Sequence, residues 1–219
     1  MDNKKYLEKL PFWNKLTTEE KSQLNSFTII KQYKKGDIIY SENDICLGAV
    51  MIVGGTSRVY IMSEEGREIT LFRLKERDCC VLSASCIISE ITFDTYMMAE
   101  SDCDILIVNY SFFSKLIDTN IYVKCFVYEL LTERLSTVMW VMQQILFNKL
   151  DRRLALFLAD EYEKSKSNEI KMTQEEIAKN IGSTREVVTR MLNKFASKDL
   201  IEVARKSIVI KDIDKLKCI

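Results

Sequence analysis

Two short apolar stripes separated by a single glycine constrain this chain more than any other feature. Between Thr173 and Phe195, Ile177, Ala178 and Ile181 recur at helical intervals, and Val187, Val188, Met191, Leu192 and Phe195 form a second such set. Gly182 lies between them, where a sharp turn needs a residue that tolerates positive φ. Ala178 is small enough for two helices to cross closely. Thr173 with Glu176, and Ser183 with Glu186, each fit a capping box that opens a helix. The pattern predicts a helix-turn-helix, and Ser183, Thr184, Arg185, Glu186, Thr189 and Arg190 are its candidate DNA-facing residues. Arg185 and Glu186 fall in the first turn of the second helix, the part that enters a major groove. Arginine bonds a guanine edge in a bidentate way, and a carboxylate accepts from cytosine. An ordinary αα-hairpin with a charged outer face has a similar pattern, and capping alone would explain Glu186. The match of all the apolar positions together, with two arginines on the free face, favours DNA reading.

The charge distribution points the same way. The 219-residue chain has no net charge, yet Lys171 to Ile219 holds eleven Lys/Arg against seven Asp/Glu. A basic end on a neutral chain fits a DNA-binding domain joined to a regulatory one. The chain is long enough for two small domains, each with a core. The charged start, Met1-Asp2-Asn3-Lys4-Lys5, is followed by no apolar run, and no window approaches a bilayer span. A cytoplasmic protein without a membrane partner is expected. In that compartment the seven cysteines are expected as thiols, metal ligands or core filler rather than structural disulfides. Histidine is absent, which excludes a His-based triad, a His-ligated zinc site and a proximal-His haem.

Taken in order, residues Tyr6 to Phe27 read as helical, with Thr17 or Thr18 as a cap. Short β-branched and aromatic segments follow from Thr28 to Val108, at Thr28–Ile30, Ile38–Tyr40, Val50–Val53, Ser57–Met62, Ile69–Leu74 and Ile105–Val108. Gly36-Asp37, Asn43-Asp44, Gly54-Gly55 and Gly66 punctuate them, which predicts a β-sandwich or barrel. Glu64-Glu65-Gly66-Arg67 reads as a hairpin loop. Phe112, Phe113, Leu116 and Ile117 mark a short helix. From about Ile121 to Asn148 runs a long one, on which Tyr128, Leu131, Leu135, Val138, Met142 and Ile145 alternate in steps of three and four. That is a coiled-coil seam and predicts a homodimer, with partial packing on the β domain. Asp151 to Lys164 is another helix, followed by a polar loop at Ser165–Asn168. Leu200–Val203 and Ser207–Ile210 read as a two-stranded wing with Arg205 and Lys206 at its tip, placed for phosphates.

The order of these parts resembles the Crp/Fnr family of bacterial transcription regulators over nearly the whole chain. The residues that carry the resemblance are Pro11-Phe12, Lys35-Gly36-Asp37, Gly54-Gly55, Gly66-Arg67-Glu68, Asp151-Arg152-Arg153-Leu154-Ala155, and Gly182-Ser183-Thr184-Arg185-Glu186 through Arg190. It implies an α+β chain with three parts. Residues 1–117 would be an effector-sensing, cyclic-nucleotide-binding-like β-sandwich or jelly roll, 118–148 a dimerisation helix, and 149–219 a winged helix-turn-helix. In the cAMP-responsive branch the positions of Arg185, Glu186 and Arg190 contact bases, which implies a TGTGA-like half-site in an inverted repeat of double-stranded DNA. RNA polymerase is the further partner the resemblance implies.

The departures from the family pattern concern the signal. The Gly-Glu and Arg-Ser pairs that hold a cyclic phosphate fall, in ungapped register, at Leu82, Ser83, Phe93 and Asp94. The arginine is lost and a carboxylate stands where a phosphate would sit. The adenine-contacting Thr-Ser pair falls at Val138-Met139. A response to cAMP is therefore not expected. The first cysteine is Cys46, which argues against the N-terminal iron–sulfur centre of the Fnr branch.

Five cysteines, Cys46, Cys79, Cys80, Cys86 and Cys103, lie in the β region. They fit buried filler better than a metal signature, because adjacent Cys79 and Cys80 on a strand face opposite ways. Thiolates that bind haem or a soft metal, or that oxidise, are the alternative, and Cys86 is the first candidate. The predicted effector pocket comprises Leu82, Ser83, Ser85, Cys86, Phe93, Val138 and Met139, with Ile87 beside them. Such a lining suits a small apolar effector or haem better than a nucleotide. The expected function is an effector-controlled DNA-binding regulator. A stand-alone sensing module that acts through a protein partner is the alternative. With no histidine, no paired carboxylates and no phosphate loop, no catalytic residue is assigned and no enzyme is expected.

Overall fold

The computed structural model describes residues 3–41, 47–81, 94–204 and 206–219. It divides into two units, Met1–Ile61 with Leu71–Val138, and Met62–Thr70 with Met139–Ile219. The first unit runs through α1 (Lys4–Leu7), a 3₁₀ turn (Trp13–Lys15), α2 (Thr18–Ser26), β1 (Thr28–Tyr33), β2 (Ile38–Tyr40), β3 (Ala49–Gly54), β4 (Ser57–Met62), β5 (Glu68–Leu74), β6 (Cys79–Cys80), β7 (Tyr96–Ala99), β8 (Cys103–Val108), α3 (Tyr110–Thr119) and the start of α4 (Ile121–Phe147). The strands form two four-stranded sheets, in the orders β1-β8-β3-β6 and β2-β7-β4-β5.

The apolar runs of β3 and β8 have a direct structural cause. The two strands pair antiparallel, with Val50 opposite Ile107, Met51 opposite Leu106 and Ile52 opposite Ile105. Side chains alternate across a strand. Val50, Ile52, Ile105 and Ile107 join the core between the sheets, with Tyr33, Val59, Leu74 and Met97. Met51, Leu106 and Val108 face the other way, into a second cluster with Leu7, Leu24, Leu116, Val123 and Val127 from the helices. Both faces are covered, so both must be apolar. At Gly55, φ is +82° and an added Cβ would sit 2.1 Å from the Asp102 carbonyl oxygen, which is why this turn requires glycine.

The expected helical stretch from Tyr6 to Phe27 is broken into three short pieces. Pro11 has no amide and disfavours helix in the residue before it. Thr17 caps α2 in a capping box with Glu20, its hydroxyl accepting from the Glu20 amide at 3.2 Å.

The long helix α4 spans 27 residues, or about 40 Å. Its inner stripe is Val123, Val127, Leu130 and Arg134, all buried. Ile121, Cys125, Tyr128, Thr132, Leu135, Met139, Met142 and Leu146 form a second stripe on the opposite side, all exposed and in alternating steps of four and three. The seam expected from the sequence differs from this one. Leu131 and Val138 pack against the β-domain cores instead. A two-sided helix supports two overlapping three-four patterns, and the sequence reading blended them.

The second unit contains α5 (Leu150–Ser165), β9 (Glu169–Ile170), α6 (Gln174–Ile181), α7 (Arg185–Ala196), β10 (Ile201–Ala204), β11 (Ser207–Ile210) and α8 (Ile213–Lys217). Leu154, Leu158, Ile177, Val188, Leu192, Phe195 and Ile208 build its core. The predicted two-stranded wing is a three-stranded sheet, ordered β10-β11-β9. Strand β9, just after the polar loop at Ser165–Asn168, pairs through only two residues and carries no periodic signal of its own.

Candidate nucleic-acid interface

The turn between α6 and α7 sets the geometry of the site. Thr173 and Glu176 form the expected capping box, with the Glu176 amide donating to the Thr173 hydroxyl at 3.1 Å and the Thr173 amide to the Glu176 carboxylate at 2.6 Å. Gly182 ends α6 in the left-handed region at φ +62°, and the Ser183 amide donates to the Ala178 carbonyl at 2.9 Å. The second expected capping box is absent. Thr184, not Ser183, is the residue before α7, and its side chain makes no capping bond. Glu186 then sits at the second position of α7, not the third, so a reciprocal bond is out of register.

Helix α7 buries Val188, Leu192 and Phe195 and exposes Arg185, Glu186 and Arg190 on its other side, with Thr184 exposed just before it. Ser183 and Thr189 are half-buried. The Thr189 hydroxyl lies 2.8 Å from the Arg185 carbonyl oxygen and also beside the Gln174 side-chain oxygen. It therefore ties α7 to the start of α6 as well as facing outward. Lys206 is in the left-handed region at φ +65° at the turn of the wing. Arg205 lies outside the described residues. Met172, Thr173, Gln174, Glu175, Arg185, Val203, Ala204, Lys206, Ser207 and Ile208 line a groove of about 440 Å³. Arg185, Arg190 and Lys206 make no ion pair with any described residue. By contrast Lys179, Lys194, Lys211, Lys215 and Lys217 are paired with acidic neighbours. The uncommitted cations of this unit thus include the three that α7 and the wing present.

The tip of the β4–β5 hairpin belongs to the same unit. Its predicted loop is present, closed by the Ser63 amide donating to the Arg67 carbonyl at 2.9 Å, with Gly66 at φ +76°. The Arg67 guanidinium donates to the Gly182 carbonyl oxygen, and Glu68 accepts from Lys179. The Arg67 donor satisfies a carbonyl at the end of α6, where helical carbonyls lack partners, and Glu68 ties the Lys179 side chain beside it. Sequence spacing could not bring Arg67 to Gly182. Arg153 on α5 lies near enough that burial first, and the Arg67 charge second, lower its pKa.

On the sensing side, Leu82, Ser83, Ser85, Cys86 and Phe93 lie outside the described residues, as does Cys46. Val138 is half-buried against the inter-sheet core, whereas Met139 is on the outer stripe and 54% exposed. Asp94 is exposed. Cys79 and Cys80 face opposite sides of β6, one against each core cluster. Burial, with smaller contributions from Cys80 and Asp78, pushes the Cys79 thiol up to about 12. Burial also raises Cys103, whose thiol donates to the Thr56 carbonyl at 2.9 Å. No three metal-ligating side chains come together among the described residues. The apolar gap beside Cys79, Cys80, Met51 and Phe113 has a volume of about 20 Å³, room for one water at most.

Sequence reading missed Arg134. It occupies the inner stripe of α4, four residues after Leu130, and a charge at such a position was the available signal.

Residues 30–120 match the cyclic nucleotide-binding domain and residues 152–219 the Crp-like helix-turn-helix domain. A solved structure from Eubacterium rectale, assigned to the Crp/Fnr family of transcriptional regulators, superposes with a TM-score of 0.90 at 39% identity, covering 98% of this chain and 99% of that one. The cAMP-activated global transcriptional regulator CRP of Salmonella typhimurium is 25% identical over 196 residues, 84% of this chain and 85% of its own. The c-di-GMP-responsive global regulator CLP of Xanthomonas campestris shares the fold, with a TM-score of 0.76 at 14% identity over 89% of this chain and 99% of its own.

Proposed function

Because the chain belongs to the Crp/Fnr family and is a DNA-binding transcription regulator, not an enzyme, we propose that it works as a homodimer on a TGTGA-like inverted repeat, under the control of a small apolar effector other than cAMP. The observation that carries this reading is the exposure of Arg185, Glu186 and Arg190 on one face of a helix whose other face is locked into the core. Arg185 and Arg190 would read guanine edges and Glu186 a cytosine amine. Ser183, Thr184, Thr189, Arg205 and Lys206 would contact phosphates or adjacent bases.

The outer stripe of α4 supports the dimer. A lone long helix does not keep eight heptad positions exposed, most of them apolar, without a partner for them. Two-fold pairing along α4 presents two reading helices to two half-sites. The replacement of the phosphate-binding arginine and of the adenine-facing pair supports an effector other than the cAMP that activates the Salmonella relative. No helix among the described residues is long and apolar enough to cross a membrane, and the reading places the protein in the cytoplasm.

The test is binding to a fluorescent inverted-repeat duplex, read by anisotropy as salt is varied. Arg185→Ala and Arg190→Ala are each expected to cost roughly 1–3 kcal/mol and to relax preference at one base pair. Lys206→Ala is expected to weaken all duplexes alike and lower the salt slope by about 1. Unchanged binding by the two arginine variants would refute the DNA-reading assignment and leave a protein partner as the target of this face. Added cAMP is expected to change none of these affinities.

A further inference from the structure

Helix α7 carries one more exposed polar side chain on its outer face, Asn193. It comes seven residues after Glu186, just under two turns on, which places it about 20° from Glu186 around the axis and about 10 Å further along. Glu186, Thr189, Arg190 and Asn193 thus stand at i, i+3, i+4 and i+7, a spacing from which a helix seated in the major groove reads base edges. The opposite face, with Val188, Leu192 and Phe195, is buried, so the rotation of α7 about its own axis is fixed. The fold makes no use of the Asn193 side chain, whose amide group has no hydrogen bond with a described residue. Asparagine is also a poor helix former, so its place in an exposed turn brings no gain in stability. Its neighbours are committed elsewhere. Lys194 pairs with Asp151 on α5 at 3.8 Å, and the Thr189 hydroxyl lies 2.8 Å from the Arg185 carbonyl oxygen. Thr189 and Asn193 are both short and lie one turn apart, which lets α7 come close to a groove floor between the longer arginines.

We propose that Asn193 is a fourth base-reading side chain and that it takes the final adenine of the TGTGA-like half-site. The inference rests on the reading of α7 as the recognition helix and assigns a base that Arg185, Glu186 and Arg190 leave unread. The axial spacing fits. Arg185 and Arg190 are five residues apart, about 7.5 Å along the axis, against about 7 Å for the two base-pair steps that separate the guanines of TGTGA. Asn193 lies three residues beyond Arg190, about 4.5 Å, which reaches one step further, to the adenine. The chemistry fits as well. A carboxamide donates and accepts at once, and adenine presents its N7 acceptor beside its N6 donor, so the two match in a bidentate pair. A guanine at that place offers two acceptors, one of which would face the carboxamide oxygen.

Equilibrium binding of the full-length protein to four inverted-repeat duplexes tests this, with A, G, C or T as the last base of each half-site. The wild type is expected to bind the adenine duplex roughly tenfold or more tightly than the other three. Asn193→Ala should lose that margin and bind all four alike, with its preference at the two guanines and its salt slope unchanged. Replacing the adenine by 7-deazaadenine, which lacks the N7 acceptor, should weaken the wild type and leave N193A indifferent. That change sits in the DNA, so it tests the pair even if the variant does not fold. Free N193A should melt at or slightly above the wild type, since alanine is the better helix former. The inference is overturned by equal wild-type affinity for the four duplexes, by a wild type indifferent to 7-deazaadenine, or by an adenine preference that survives in N193A. It is also overturned if N193A weakens all four duplexes by one factor and keeps their order, since Asn193 would then be a phosphate contact. A variant that melts well below the wild type overturns it too, because Asn193 would then hold the fold. Arg185-dependent binding with no preference at the last base removes only this inference. A protein that binds none of the duplexes removes the DNA reading, and this inference falls with it.

Discussion

Lys179 Nζ on α6 donates to Glu68 Oε1 at the tip of the β4–β5 hairpin, 2.8 Å away and partly shielded from water. The contact joins residues 111 apart in sequence. It sits beside the bond from Arg67 to Gly182, so the hairpin tip holds the end of α6 at two points. Thr70, the next inward-facing residue of the hairpin, reaches the Lys179 carbonyl at 3.5 Å.

Breaking this pair should loosen the reading motif locally without unfolding the unit. A double-mutant cycle of Glu68→Gln and Lys179→Met is expected to give a coupling energy of about 0.5–1 kcal/mol, the range of a partly exposed ion pair. Hydrogen exchange should quicken at the amides of Gly182 and Ser183 in either single variant. A coupling near zero with unchanged exchange would show that the tip rests on α6 without holding it.

Gly182→Ala should cost more than an ordinary surface change. The backbone is at φ +62°, and the new Cβ would meet Ile69 Cγ1 at 3.2 Å. Left-handed geometry costs a non-glycine residue roughly 1–2 kcal/mol, and the methyl crowds an isoleucine that must shift. Urea denaturation should show a lower midpoint at an unchanged slope. Ile69→Ala, which removes Cγ1, should make the two changes less than additive by the crowding part of the loss.

The outer stripe of α4 makes a positional prediction. In a parallel two-fold pair, identical heptad positions face one another. Leu135→Glu at its centre should convert the dimer to a monomer in analytical ultracentrifugation. Cys125, on the same stripe and exposed, should cross-link to its counterpart when diamide is added as oxidant. That product should be absent in Leu135→Glu and in Cys125→Ser. A dimer that survives Leu135→Glu would move the interface to another face.

Cys79 predicts a pH dependence. Its folded pKa of about 12 exceeds the ordinary 9.0 of a cysteine thiol, because burial disfavours the thiolate. The folded state therefore holds the proton more tightly than the unfolded state. The stabilisation is fully present below about pH 9 and is lost as pH rises from there towards 12. Denaturation midpoints measured across that window should fall less steeply for Cys79→Ala than for the wild type. Peptide mapping after alkylation at pH 8 should find the exposed Cys218 labelled before Cys79, Cys80 and Cys103.

The helix-turn-helix was legible because each of its features is local. The Thr173 cap, the Gly182 turn and the two apolar stripes lie within one short window and need no distant partner. The strand pattern was legible for the same reason. The α4 seam was misread because Leu131 and Val138 satisfy the spacing of a dimer stripe while packing inward. A periodicity records that a face is apolar and does not record what covers it. The Ser183 box failed by one residue, since α7 starts at Arg185. Strand β9 and helix α8 exist through tertiary pairing of very short segments, which carry no period of their own. Arg134 and the Arg67–Gly182 bond depend on contacts 55 and 115 residues apart, beyond any window.

The two stripes of α4 interleave on one stiff rod, and this makes the helix a shaft. Its inner teeth, from Val123 to Arg134, mesh with the β domain, and its outer teeth, from Ile121 to Leu146, are free to engage a second wheel. Side-chain tips stand about 5 Å from the axis, so a turn of about 20° sweeps every outer tooth by roughly 2 Å. A small change of fit between the inner teeth and the β domain would therefore be felt at the outer teeth of the same turns, from Ile121 to Leu135.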